Sequence, residues 1–172
     1  MPHFMKRVLS ILVFGGVLLM AACSSKGVEE AKPGFAFSHI VVNPFSQGKI
    51  DTVTFKLNDK NIYVLDSVNQ FDSVAFTVAL LGYSDNLTHF SLTRDWAEFQ
   101  LALADTLSLK KYLIDSQSNV RQGELYFITG YTAITLLFFG VPQTTGYTDF
   151  SFTLESESPL SPNQITLRLP VR

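Results

Sequence analysis

The stretch FDSVAFTVALL, residues 71–81, decides the fold. Val74, Phe76, Val78 and Leu80 recur at every second position, and Ser73, Ala75, Thr77 and Ala79 fill the places between. Successive side chains of a strand point to opposite faces, so this run carries one bulky apolar face and one face of small residues. A helix would place its apolar residues at three- and four-residue steps. The run therefore reads as a β-strand with one face in a core.

The same arithmetic recurs along the chain. Val53, Phe55 and Leu57 alternate with Thr52, Thr54 and Lys56; Phe99, Leu101 and Leu103 oppose Glu98 and Gln100; Phe150, Phe152 and Leu154 oppose Ser151, Thr153 and Glu155. Ile165, Leu167, Leu169 and Val171 close the chain against Thr166 and Arg168. Half-buried antiparallel strands have this pattern. Turn clusters separate them at 43–48, 58–61, 82–86, 116–123, 140–146 and 156–163, rich in Asn, Asp, Gly and Ser, which bend the chain through local hydrogen bonds or positive φ. The expectation is a mainly β, single antiparallel β-sandwich over residues 35–172, with a closed β-barrel as the alternative.

Two stretches resist simple alternation. Residues 93–113 can form one helix, with Thr93 as N-cap and Trp96, Phe99 or Gln100, Leu103 and Leu107 on one face, although LSLKKYLID fits neither period. AITLLFFGVP, residues 133–142, is apolar on both faces. The expected placement is a central strand covered on both sides, or one whose outer face is closed by that helix. The other reading is a surface, with Phe138 on it, that docks a partner or dips into lipid.

The start of the chain fixes where the protein works. Met5-Lys6-Arg7 precede fifteen uncharged residues, Val8 to Ala22, and the only cysteine, Cys23, follows. A spanning helix needs about 20 apolar residues, so this run is short for a permanent span and has the outline of a secretory signal. Met20-Ala21-Ala22-Cys23 resembles the lipobox of bacterial lipoproteins. The resemblance implies that residues 1–22 are removed and that Cys23 becomes the lipidated first residue, carrying a diacylglycerol and a further acyl chain such as palmitate. Each buried methylene is worth about 0.8 kcal/mol, so several chains hold a protein firmly on a bilayer. Ser24, where an Asp would retain such a protein at the inner membrane, implies anchorage in the outer membrane, facing the periplasm. Residues 24–34, SSKGVEEAKPG, read as a flexible tether of at most about 35 Å.

Loss of Lys6 and Arg7 leaves eleven basic against fifteen acidic residues, scattered rather than striped, which argues against nucleic acid as a partner. The roughly 150 remaining residues suffice for one domain. No second cysteine exists for a disulfide.

The motifs for chemistry are mostly missing. His39 and His89 sit in strand-like contexts without ligand spacing, and a soft metal site lacks cysteine ligands. Ser46 to Lys49 and Ser108 to Lys111 match S-x-x-K, and Ser84-Asp85-Asn86 matches S-D-N, but K-T-G is absent and the last reads as a turn. Asp59 with Asn58 and Asn61 lacks the rest of a calcium loop. Aromatics are abundant, with fifteen Phe, six Tyr and one Trp. Most Phe fall on inward faces, whereas Tyr63, Tyr83, Tyr126, Tyr131 and Tyr147 lie near strand ends or outward faces, where a phenol can meet a partner or ligand.

The expected function is a non-catalytic binding, scaffold or accessory subunit of a cell-envelope assembly, with another envelope protein as partner and no cofactor beyond the lipid on Cys23. The alternative is a carrier or sensor of a hydrophobic ligand, and a periplasmic hydrolase ranks third.

Overall fold

The computed structural model describes residues 30–37, 40–43, 51–53, 55–58, 62–94, 99–103 and 106–172. Cys23, the signal segment, His39 and Asp59 lie outside the described residues.

Among the described residues, twelve strands form two sheets. In chain order they are β1 (Gly34–Phe37), β2 (Ile40–Asn43), β3 (Asp51–Val53), β4 (Phe55–Leu57), β5 (Ile62–Leu65), β6 (Ser73–Leu81), β7 (Leu87–Arg94), β8 (Phe99–Leu103), β9 (Glu124–Tyr126), β10 (Ala133–Pro142), β11 (Gly146–Ser156) and β12 (Asn163–Val171). A short helical turn, α1 (Thr106–Leu109), runs on into a 3-10 turn at Lys110–Tyr112. The first sheet has the order β3-β2-β6-β10-β8, with β1 also paired to β6. The second has the order β4-β5-β12-β11-β7-β9. Pairing is antiparallel except between β5 and β12, which run parallel. The sheets stay open, so the architecture is a sandwich and not a closed barrel.

The inward faces are those the alternation dictates. Val74, Phe76, Val78 and Leu80 of β6 and Ile134, Leu136 and Phe138 of β10 are buried from one side. Phe150, Phe152 and Leu154 of β11, Leu167, Leu169 and Val171 of β12, and Phe90 and Leu92 of β7 meet them from the other. Aromatic rings link the two layers. Phe138 stacks on Phe76 of its own sheet at 5.4 Å and meets Phe152 of the opposite sheet edge-on at 5.8 Å. Phe90 touches both Phe138 and Phe152, at 6.4 and 6.1 Å. Such pairs add about 0.5–1.5 kcal/mol each beyond the apolar area they bury, and here they occupy the middle of the sandwich.

Residues 93–113 hold at most one helix, as expected, and do not run as one long element: β7 runs to Arg94, β8 pairs with β10, and among the described residues of this stretch only the short turn at 106–112 is helical. Phe99, Leu101 and Leu103 stand in register with Pro142, Gly140 and Phe138, the inward positions of β10. The run from Asp51 to Leu57 also does not keep one face, because β3 belongs to the first sheet and β4 to the second. Leu57 is exposed as a result.

Candidate functional site

Directly opposed residues of paired strands share a face, so the register maps the outside of each sheet. On the first sheet the outward positions of β10 are Ala133, Thr135, Leu137 and Phe139. Their partners on β6 are Leu81, Ala79, Thr77 and Ala75, and Ala102 of β8 stands opposite Phe139. The neighbours along β6 are therefore small beside the two bulkiest residues. Leu137 is 41% exposed and Phe139 46% exposed. The outer face of AITLLFFGVP is thus open, contrary to the expected cover. Phe138 is a different matter. It is fully buried, so it belongs to the core and not to a contact surface.

The second sheet is outwardly polar. Ser91, Thr93, Ser151, Thr153 and Thr166 occupy its middle by register. Toward one end His89 of β7 stands between two carboxylates, because the order β11-β7-β9 sets Glu155 and Tyr126 on either side of it. His89 Nε2 is 2.8 Å from Glu124 Oε2, and Nδ1 is 3.5 Å from Glu155 Oε1. The ring also stacks on Tyr126, 4.3 Å between centroids at 20°. Toward the other end Asp149 accepts two 2.7 Å hydrogen bonds from the Arg168 guanidinium. That pairing raises the already high pKa of Arg168, which stays charged throughout. Arg168 in turn lies 4.4 Å from the ring centroid of the exposed Tyr147.

The remaining tyrosines scatter. Tyr63 packs against Phe37 at 5.6 Å on the margin of the core, and Tyr131 meets Tyr112 edge-on at 4.8 Å. Tyr83 stands in the turn between β6 and β7 with φ of 59°, 55% exposed. A Cβ on Gly34 would come within 2.6 Å of its hydroxyl, so glycine is what lets the ring lie across β1. The five tyrosines form no common site.

Three turns gather at the end of the sandwich where the chain enters it. The Gly82 N–H donates to the Thr132 carbonyl at 2.7 Å, and the Leu87 N–H to Tyr131 at 2.8 Å. The Glu157 N–H donates to the Asn86 carbonyl at 2.9 Å, and the Asn86 side chain to Glu157 at 2.7 Å. Ser158 Oγ donates to the Ala31 carbonyl at 2.9 Å, and Asn163 Nδ2 to the Pro33 carbonyl at 2.7 Å. The incoming segment is thereby fixed to the domain from Ala31, somewhat before the expected start at Phe35.

What can these groups do chemically? His89 Nε2 shares a hydrogen bond with Glu124, and Nδ1 has the Glu155 carboxylate 3.5 Å away. The two carboxylates approach opposite edges of the ring and do not converge on one point. Among the described residues no three His, Cys, Asp or Glu side chains are placed to hold a metal ion. Ser84 lies in a turn with its Oγ 3.5 Å from Asp85 Oδ2. A scan against protein-family models gives no match, and no curated protein is significantly similar to the chain.

Proposed function

We propose that the protein is an outer-membrane lipoprotein, anchored through Cys23 and facing the periplasm, that acts as a non-catalytic docking subunit of a cell-envelope assembly. Its binding surface is the outer face of the first sheet, and the partner is another envelope protein with an apolar groove. The observation that carries this is the exposure of Leu137 and Phe139 on β10, between β6 and β8, with Thr77 and Ala75 opposite them. A ridge of two large apolar residues above small neighbours is a shape that a groove can enclose, removing both from water.

The hydroxyl-rich face of the second sheet offers no comparable apolar anchor at its centre. The ring cluster of Phe76, Phe90, Phe138 and Phe152 fills the position that a hydrophobic ligand would take in a carrier, which favours docking over carriage. Hydrolysis has the least support, since no serine or other nucleophile is placed beside His89 among its contacts with Glu124, Glu155 and Tyr126.

The test is quantitative affinity purification from the native envelope, comparing the wild type with the double variant Leu137→Ser/Phe139→Ser. The reading expects one stoichiometric protein that the variant loses while remaining folded and in the membrane fraction. Equal recovery by both proteins would place the docking surface elsewhere.

A further inference from the structure

The end of the sandwich at which the chain enters carries a second apolar feature, separate from the ridge on the first sheet. Tyr83 is 55% exposed, Leu160 48% and Ile128 37%, each in a different turn. The hydrogen bonds from Gly82 to Thr132, Leu87 to Tyr131 and Glu157 to Asn86 lace those turns into one platform. Large apolar residues at three turn tips, held by backbone bonds at one end, are more than scattered surface exposure.

The chain itself says what this end faces. Ala31 and Pro33 are tied to Ser158 and Asn163. Only seven residue steps therefore separate Cys23 from Glu30, where the described chain begins, and these span at most about 25 Å whatever their path. An acyl anchor on Cys23 would keep this end within about 25 Å of the lipid.

We infer that this end is a non-covalent membrane contact in which Tyr83, Ile128 and Leu160 enter the headgroup layer of a zwitterionic bilayer. This rests on the anchored reading and deepens it. Tyrosine suits that depth, since its ring is apolar and its hydroxyl stays wet. Charges on these turns and the entering segment are Glu30, Asp85 and Glu157 against Lys32, whereas residues 128–132 carry none. That acidic balance makes an anionic surface the worse host. The contact would stand the strands away from the bilayer and turn the Leu137 and Phe139 ridge sideways, clear of lipid and open to a protein.

The experiment uses the full-length lipidated protein in phosphatidylcholine vesicles. Cys23 is the only native cysteine, so once it is lipidated an introduced cysteine is the single free thiol. An environment-sensitive fluorophore is placed on Leu160→Cys and Ile128→Cys, with Thr144→Cys at the opposite end as control. The inference expects both tether-end probes to be quenched by a bilayer-embedded doxyl lipid and shielded from aqueous iodide, and the control to behave in reverse. Vesicle flotation separates the two ideas. Protein that floats with all three probes open to iodide overturns the contact and leaves the anchor standing; protein that does not float overturns both.

Discussion

Phe138 and Phe139 are neighbours in the chain with opposite surroundings. Phe138 stacks on Phe76 with no exposed surface, and Phe139 points out of the same strand with nearly half of its surface in water. Strand alternation alone separates them, and it lets one position test the core while the next tests the surface.

Phe138→Ala should cost about 3–5 kcal/mol, since it removes a ring at the junction of both sheets. Phe138→Asp should abolish folding, because an unpaired buried carboxylate costs more than a domain of this size has to lose. Phe139→Asp should fold, with stability within about 1 kcal/mol of wild type, and lose its partner. Soluble yield and melting temperature distinguish the two positions.

His89→Ala should lower stability by about 1–2 kcal/mol, through loss of the Glu124 hydrogen bond and the stacking on Tyr126 that hold the short β9 to β7. His89→Gln, which keeps a donor but no aromatic ring, should recover part of the loss. Denaturant midpoints measure both. Partner recovery should be unchanged, because this cluster lies on the other sheet from Leu137 and Phe139.

Gly123 and Gly130 both have positive φ, 77° and 110°, yet their surroundings differ. A Cβ on Gly123 would lie 2.9 Å from Leu92 Cβ, whereas one on Gly130 would meet nothing within 4 Å. Gly130→Ala should cost about 1–2 kcal/mol of backbone strain alone. Gly123→Ala should cost more, since β7 and the turn before β9 must also move apart. Thermal melts of the pair show the order, and equal losses would discount the contact.

Cys23→Ser should either leave an uncut precursor or release the protein from the membrane fraction. Fractionation with mass measurement reads both results. Mature protein still membrane-bound in the variant, and differing in mass from wild type only by the exchange of sulfur for oxygen, would remove the anchor.

How much of this could be read without coordinates depends on the range of the interaction. Alternation is local, so the inward sets of β6, β11 and β12 were legible from Val74, Phe150 and Leu167 and their neighbours. The turn at 106–112 was not, because one short helical turn shows no repeat of its period. The two-sided apolarity of β10 was plain in AITLLFFGVP, but whether anything covers Phe139 depends on strands distant in sequence. The setting of His89 was hidden for the same reason: Glu124 is 35 residues away, and only the strand order brings it within 2.8 Å. Tyr131 shows the converse. It looked like an outward phenol, yet it packs against Tyr112, which arrives by way of the unexpected turn.

The most direct test of the docking claim places a photo-cross-linking residue at position 139 of the full-length protein in its native envelope, with the same residue at Thr153 on the opposite sheet as control. The account predicts one discrete protein adduct from position 139 and none from position 153. Equal or absent cross-linking at the two positions would contradict the assignment of the first sheet's outer face as the docking surface.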